Sequence, residues 1–369
     1  MARKVHIEPP AGNNLSTLQS AGVSVMPALM ADSSEYLPIL HNAPTNELAA
    51  LSNAPITQRD SFTRESVIES GSVRLFIEDY SELLAPRNSI FKLLDMCLIE
   101  LARTNDYRSK KGAENKTVTI SLDRYMELCG LDATNKPQKD KARRRVHEDL
   151  NYLYRFSLEW HAQGGGKYAD FRKERICTIA ELKKGIITFA FTDNLANSLN
   201  SAYIGQYPTA IFRLDERNKN AYPLGRKLVM HASNDYNRAK GTADILSVKS
   251  LLAVCPDIPK YEKVIEEGRQ VSQRIIEPLE KTLDMLMIGN VLTRWEYCNS
   301  KGVPLTDEQL AARDWHTFSK LFVRFKLKDE PDYTERLQRK AERQAKASKA
   351  RRKRTPVKKS DSEKNDTLM

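Results

Sequence analysis

The chain has 369 residues, 40% of them hydrophobic and 29% charged, and its formal net charge is +11. No stretch approaches the roughly 18 uninterrupted apolar residues of a membrane-spanning helix. The five cysteines show no CxxC spacing, which argues against a paired-cysteine zinc site or a disulfide framework. We therefore expect a cytoplasmic globular protein without membrane partners, long enough for two ordinary domains and tails.

Most of the positive charge is local. From Arg336 to Met369 there are 13 Lys or Arg against 4 Asp or Glu, so +9 of the +11 lies there. Residues 331–369 are predicted to form a basic, largely disordered tail that would bind any polyanion, a solubilising extension or localisation signal being the alternatives. The tail's candidate DNA-binding residues are Arg351, Arg352, Lys353 and Arg354.

The composition of the chain changes near residue 64, where predicted strands and helices begin. Residues 1–63 are rich in Pro, Asn, Ser and Ala, and we expect a flexible arm with a short helix around Thr45–Leu51. The segment "SVRLFIEDY" then predicts a strand. In "SIFKLLDMCLIELAR" apolar residues recur at helical spacing, and Ser89 is placed to cap that helix.

A strand, a short helix and a longer helix come next. "KTVTISLDRYMELCGL" predicts a strand followed by a helix capped by Ser121 and ending near Gly130. The longer helix has one apolar stripe, made of Ala142, Val146, Leu150 and Leu153. "FSLEWHA" and "RICTIAELKKGIITFAF" predict strands, and Gly164–Gly166 suit the tip of a hairpin.

The same order then repeats. A helix in "NKNAYPLGRKLVMHASN" precedes "SVKSLLAVCP", which aligns without a gap to "SLDRYMELCG". The helix of "GRQVSQRIIEPLEKTLDMLMIGN" contains Pro278, which is predicted to bend it or end its regular hydrogen bonding. "VLTRWEY" and "LFVRFKLKD" close the unit as two strands.

This order is that of a winged helix, in which the second helix of a helix-turn-helix enters the major groove. We predict an α+β fold with two tandem winged-helix domains, residues 64–205 and 206–330. Arginine can bind guanine through two hydrogen bonds, and glutamine can bind adenine in the same way. A solvated helix face and edge-strand lysines are the structural alternatives. The candidate DNA-binding residues of the two domains are Lys139, Lys141, Arg143, Arg144, Arg145, Lys167, Arg269, Gln270, Gln273, Arg274, Arg324, Lys326 and Lys328.

Catalytic patterns are missing from the sequence. The six histidines include no HxH pair, which a metal-dependent rolling-circle nickase would need. "GGGKY" lacks the GxxxxGK[ST] pattern of a phosphate-binding loop. We expect no catalytic residue, no metal and no cofactor, and hence not an enzyme.

The tandem winged helices with a leader and a basic tail resemble the theta-type plasmid replication initiators, the Rep initiator family. The resemblance spans about Ser72 to Asp329 and is carried by "VTISLDRYMELCGL", "RRRVHEDLNYL", "ITFAFTDNLANSL", "YPTAIFRLDERNKNAYPLGRKLVMH" and "SVKSLLAVC" with "RQVSQRIIEPL". It implies a protein that binds repeated origin sites in double-stranded DNA and recruits the host replicative helicase or its loader.

In such a protein the second winged helix reads bases, while the first contacts adjacent DNA as a monomer or forms a homodimer interface. A transcriptional repressor or phage regulator with the same fold is the main alternative. A DNA-processing enzyme is disfavoured by the missing histidine pair, and a scaffold without DNA binding is a further alternative.

Overall fold

The computed structural model of the protein describes residues 36–56, 58–59, 66–70, 73–78, 86–103, 116–160, 173–200, 203–306, 308–309, 314–334 and 338. Met1–Asp329 make one compact unit and Glu330–Met369 make another. Of the candidate residues, Lys167 and Arg351–Arg354 lie outside the described residues. The boundary between residues 205 and 206 stays a prediction.

The first unit is a mixed α+β structure. Its helices are α1 (Ala43–Ala50), α2 (Asn88–Arg103), α3 (Leu122–Leu128), α4 (Lys136–Arg155), α5 (Asp193–Asn200), α6 (Ala221–Ala232), α7 (Asp235–Ala239), α8 (Val248–Leu252), α9 (Tyr261–Glu266), α10 (Glu277–Ile288) and α11 (Trp315–Phe318). A 3-10 turn, Thr209–Arg213, and a π-helical turn, Ser272–Ile276, precede α6 and α10.

The strands are β1 (Tyr36–His41), β2 (Gln58–Arg59), β3 (Ser66–Ser70), β4 (Val73–Ile77), β5 (Thr117–Ser121), β6 (Phe156–Trp160), β7 (Lys173–Arg175), β8 (Cys177–Lys183), β9 (Ile186–Phe191), β10 (Tyr203–Pro208), β11 (Ile245–Ser247), β12 (Leu292–Cys298) and β13 (Phe322–Leu327). They form antiparallel sheets with the orders β1-β10, β2-β3-β4-β6-β7, β5-β9-β8 and β11-β13-β12.

Two regions of the unit share one order of elements. In the first, α2, β5, α3 and α4 precede the hairpin β8–β9, and in the second, α6, β11, α8 and α10 precede the pair β12–β13. The last strand of each region lies between the other two. Ser121 and Ser247 cap the short helices α3 and α8, each accepting a hydrogen bond from the amide three residues on, at 3.1 and 3.2 Å. The predicted repeat of a serine-capped short helix is therefore confirmed, and the strand predicted before it in the first region has an unpredicted counterpart, β11, in the second.

The apolar stripe predicted for α4 is confirmed as core, because Ala142, Val146, Leu150 and Leu153 are buried. In the helix that contains Pro278, the apolar spacing predicts a stripe of Val271, Ile275, Leu279, Leu283 and Leu286, of which Val271 is half-buried and the other four are buried. The alternating residues Ile187, Phe189 and Phe191 of β9 are buried as well. Because α4 has one apolar face, its opposite face carries polar residues, whereas α2 is buried nearly all round, its polar Asn88, Lys92 and Asp95 included.

Two expectations for the N-terminal part of the chain need correction. The flexible arm does not extend to residue 63, because β1 pairs with β10 and Ile39, Leu40, Leu48 and Leu51 are buried. The short helix expected there is α1. Ser89 does not cap α2, which begins at Asn88, and its hydroxyl instead donates to Asp149 at 3.0 Å.

The strand "FSLEW", β6, pairs antiparallel with β7, the strand that follows Gly164–Gly166, as the predicted hairpin requires, but it does not pair with the later run "IITFAF". β6 lies between β4 and β7 in the five-stranded sheet, whereas β9 pairs with β5 and β8. The hairpin of the first region is therefore β8–β9, whose turn is Lys184–Gly185. Within the described residues, no helix has the length and apolar character needed to span a membrane.

Candidate nucleic-acid interface

Helix α4 presents a strongly cationic N-terminal half. Asn135 caps it by accepting from the amide of Gln138 at 3.1 Å, and Pro137 occupies its first turn, where a missing amide costs no helical bond. The ten residues Lys136–Arg145 include six Lys or Arg and a single Asp. Since the apolar stripe occupies the inner side, most of these cations project outward.

The predicted DNA-binding side chains on α4 differ in whether they form ion pairs within the protein. Lys141 and Arg144 are exposed and, within the described ranges, form no ion pair. Arg143 lies 3.5 Å from Asp140, one turn away, and Lys139 lies 2.6 Å from Asp123. Exposed pairs of this kind are worth at most about 1 kcal/mol, so a phosphate can compete for both side chains.

Arg145 points away from this surface. Its guanidinium forms an ion pair with Glu216, in the segment that joins the two regions. Glu216 also lies 3.6 Å from the buried amine of Lys92, which donates to the carbonyls of Phe212 and Leu214 at 3.1 and 2.8 Å. Burial lowers the pKa of Lys92 to about 8. Arg145 thus holds α4 against the connecting segment, a role that the sequence did not suggest.

The underside of α4 is anchored through Asp149. This buried carboxylate accepts from Ser89 at 3.0 Å and from Arg87 at 3.3 Å, and Arg87 also reaches Glu148 at 3.0 Å. Burial raises the pKa of Asp149 to about 6 despite these donors. These contacts fix the rotation of α4 about its axis and hence which side chains face outward.

A groove separates α4 from the turn of the β8–β9 hairpin. Lys139, Arg143, Arg144 and His147 line one wall, and Lys184 lines the other. The turn has positive φ at both Lys184 and Gly185, +50° and +77°, as a two-residue hairpin turn requires. The sequence prediction places the basic hairpin tip near Lys167, outside the described residues, and does not include Lys183 and Lys184 among the DNA contacts. "KKG" between two alternating strands was the signal that could have identified them.

The second long helix is shaped by Pro278. The chain makes a π-helical turn at Ser272–Ile276, and α10 begins at Glu277 with Pro278 in its first turn, so the expected break in regular hydrogen bonding is confirmed. Gln273 and Arg274 are exposed on this turn, and Gln270, which precedes the helix, is exposed as well. Arg269 is exposed too but lies 3.1 Å from Glu267.

Charge differs between the two surfaces. From Lys260 to Lys281 there are five Lys or Arg and five Glu, so the segment that contains the start of the second helix carries no net charge. The N-terminal half of α4, by contrast, is cationic. A neutral surface attracts the phosphate backbone little, whatever its side chains can do at base edges.

Two of the three cations predicted on the last strand bond to other side chains of the protein. Arg324 donates to Asp244 at 2.9 Å, and Lys328 donates to Asn290 at 2.9 Å. Lys326 is exposed. The alternation of the strand is confirmed, because Val323, Phe325 and Leu327 are buried on its other face.

No cluster of three or more His, Cys, Asp or Glu side chains suited to a metal ion occurs among the described residues. No family model matches the chain, and no curated protein does. A crystal structure of domain 2 and domain 3 of RctB is similar to 78% of this chain over 99% of its own length, at 12% sequence identity and a TM-score of 0.39.

Proposed function

We propose that the protein binds double-stranded DNA site-specifically through two winged helices and acts as a replication initiator. The observation that carries the DNA-binding part is the outward cationic face of α4 beside Lys184, within an order of elements that the chain contains twice. In each region the longer helix follows a short capped helix, and a three-stranded antiparallel sheet lies beside them. This order of elements supports the proposal, because a winged helix presents the second helix of its helix-turn-helix to a groove.

The two helices would divide the work. Lys139, Lys141, Arg143 and Arg144 on α4, with Lys184 across the groove, supply several positive charges for one stretch of phosphate backbone. The second helix, with Gln270, Gln273 and Arg274 in a segment without net charge, would contribute base contacts and little sequence-independent affinity. Arg324 and Lys328 already form hydrogen bonds within the protein, so we expect them to contribute least to DNA binding.

The role as an initiator rests on the sequence resemblance to the Rep initiator family. It includes binding of origin repeats, recruitment of a host helicase or its loader, and cytoplasmic location. A repressor with the same fold would bind duplex DNA in the same manner. The absence of an HxH pair in the sequence gives the nicking alternative no support.

The test is a selection of preferred sites by the intact chain from random duplexes, followed by competed binding at about 150 mM salt. We expect one enriched motif, preferred over unrelated duplex by a factor of about 10³ or more. Binding without an enriched motif would contradict site-specific recognition.

Replication of a plasmid bearing repeats of the enriched motif then separates the initiator from the repressor. An initiator supports replication in the presence of the protein and none in its absence. A repressor leaves replication unchanged and lowers transcription from a promoter that carries the motif.

A further inference from the structure

The start of the second long helix contains one residue more than a regular helix would hold. The amide of Glu277 donates to the carbonyl of Ser272, five residues back, whereas the amide of Arg274 donates to Gln270, four residues back, at 3.1 Å. The extra residue is therefore accommodated within Ser272–Ile276. Isolated π-helical turns of this kind occur often at functional sites.

Pro278 accounts for the widened turn. It has no amide proton to donate to the carbonyl of Arg274, four residues back, and its ring would press against that carbonyl in a regular helix. A wider turn relieves the contact, and the helix continues regularly from Glu277 to Ile288. Thr282, four residues after Pro278, donates its hydroxyl back to the Pro278 carbonyl at 2.7 Å.

The wider turn changes which side chains face outward. In a regular helix Ser272 would lie four residues before Ile276 and seven before Leu279, on the side of both buried residues. Ser272 is instead exposed, and Val271, five residues before Ile276, is the half-buried residue. The segment up to Arg274, whose amide still donates four residues back, is thus rotated by one residue, roughly 100°.

We propose that Pro278 is a positioning residue that sets the base preference of the second helix, by rotating Gln270, Gln273 and Arg274 into the orientation that meets base edges. This inference rests on the proposed function. It adds that the preference depends on a residue that itself contacts no base. The absence of net charge in this segment fits a surface whose contribution is preference more than affinity.

The test compares the wild-type chain with Pro278→Ala by site selection from random duplexes. Alanine restores the amide and favours a regular helix. We expect the preferred bases to change at the positions that Gln273→Ala also affects, while the preferred bases elsewhere and the salt dependence of binding stay the same. Pro304→Ala, at an exposed proline in the loop after β12, is the matched control and should select the wild-type motif.

Ser272→Val provides a second variant that keeps the proline. A valine at this position is buried only in the regular register, so it favours the same rotation and should shift the motif in the same way. If both variants fold, as judged by thermal unfolding, and select the wild-type motif, the inference is wrong. If the wild-type chain itself selects no motif, the proposed function fails, which is a different result.

Discussion

Asp95 on α2 and Arg226 on α6 form a buried ion pair, in which Nε of Arg226 lies 3.1 and 2.9 Å from the two carboxylate oxygens. The hydroxyls of Tyr207 and Tyr222 also donate to this carboxylate, each at 2.7 Å, and Nη1 of Arg226 donates to Asn46 at 2.9 Å. The first helix of one repeated region is thereby joined to the first helix of the other.

Replacement of Asp95 by alanine should destabilise the protein severely. It leaves the guanidinium of Arg226 buried without its counter-charge, which typically costs about 3–5 kcal/mol. Arg226→Met should cost less, because Asp95 keeps two tyrosine donors and can also take up a proton. Urea unfolding of the two variants measures the difference, and equal losses would contradict this view of the pair.

Asp149 should make stability depend on pH between about 4 and 6. Its pKa is about 6 in the folded protein, above the ordinary value of 3.8. The folded state therefore binds a proton that the unfolded state has released, and this group's contribution to stability falls as pH rises through that window. The free-energy difference between wild type and Asp149→Asn should change by on the order of 2–3 kcal/mol across it. A constant difference at every pH would contradict the shift.

The two serine caps offer a test of the repeat. Ser121→Ala and Ser247→Ala should each lower the free energy of unfolding by about 1 kcal/mol, because each leaves an amide of a short helix without its acceptor. Aspartate at either position should restore most of the loss, since its carboxylate caps a helix equally well. If one alanine variant costs nothing, the two positions are not equivalent.

Helices and strands could be predicted from local sequence patterns, whereas the pairing of strands depends on residues far apart in the sequence. The α4 stripe Ala142, Val146, Leu150 and Leu153 was predictable because helical periodicity is written in neighbouring residues. The pairing of β6 with β4 was not, since the partners lie about 80 residues apart and several strands share the same alternation. The pairing of β1 with β10 was not predictable for the same reason, because the two strands lie far apart in the sequence.

In the candidate site, too, some features follow from local sequence and others depend on distant residues. The exposed cations Arg143 and Arg144 follow from their position off the stripe, and the effect of Pro278 follows from proline's missing amide. The inward direction of Arg145 depends on Glu216, which lies 71 residues away. The triplet of arginines therefore reads as one patch in the sequence, although its third member points to the protein.

The groove beside α4 is tested most directly by the salt dependence of binding to the selected duplex. Arg143→Ala/Arg144→Ala is compared with wild type and with Lys227→Ala/Lys240→Ala, a control that removes two exposed cations from α6 and from the residue after α7. Because each phosphate contact contributes about 0.9 to the slope of log K against log salt, the first variant should lower the slope by about 1.8, and the control should not change it. Equal slopes for all three proteins would contradict the proposal that this surface binds the DNA backbone.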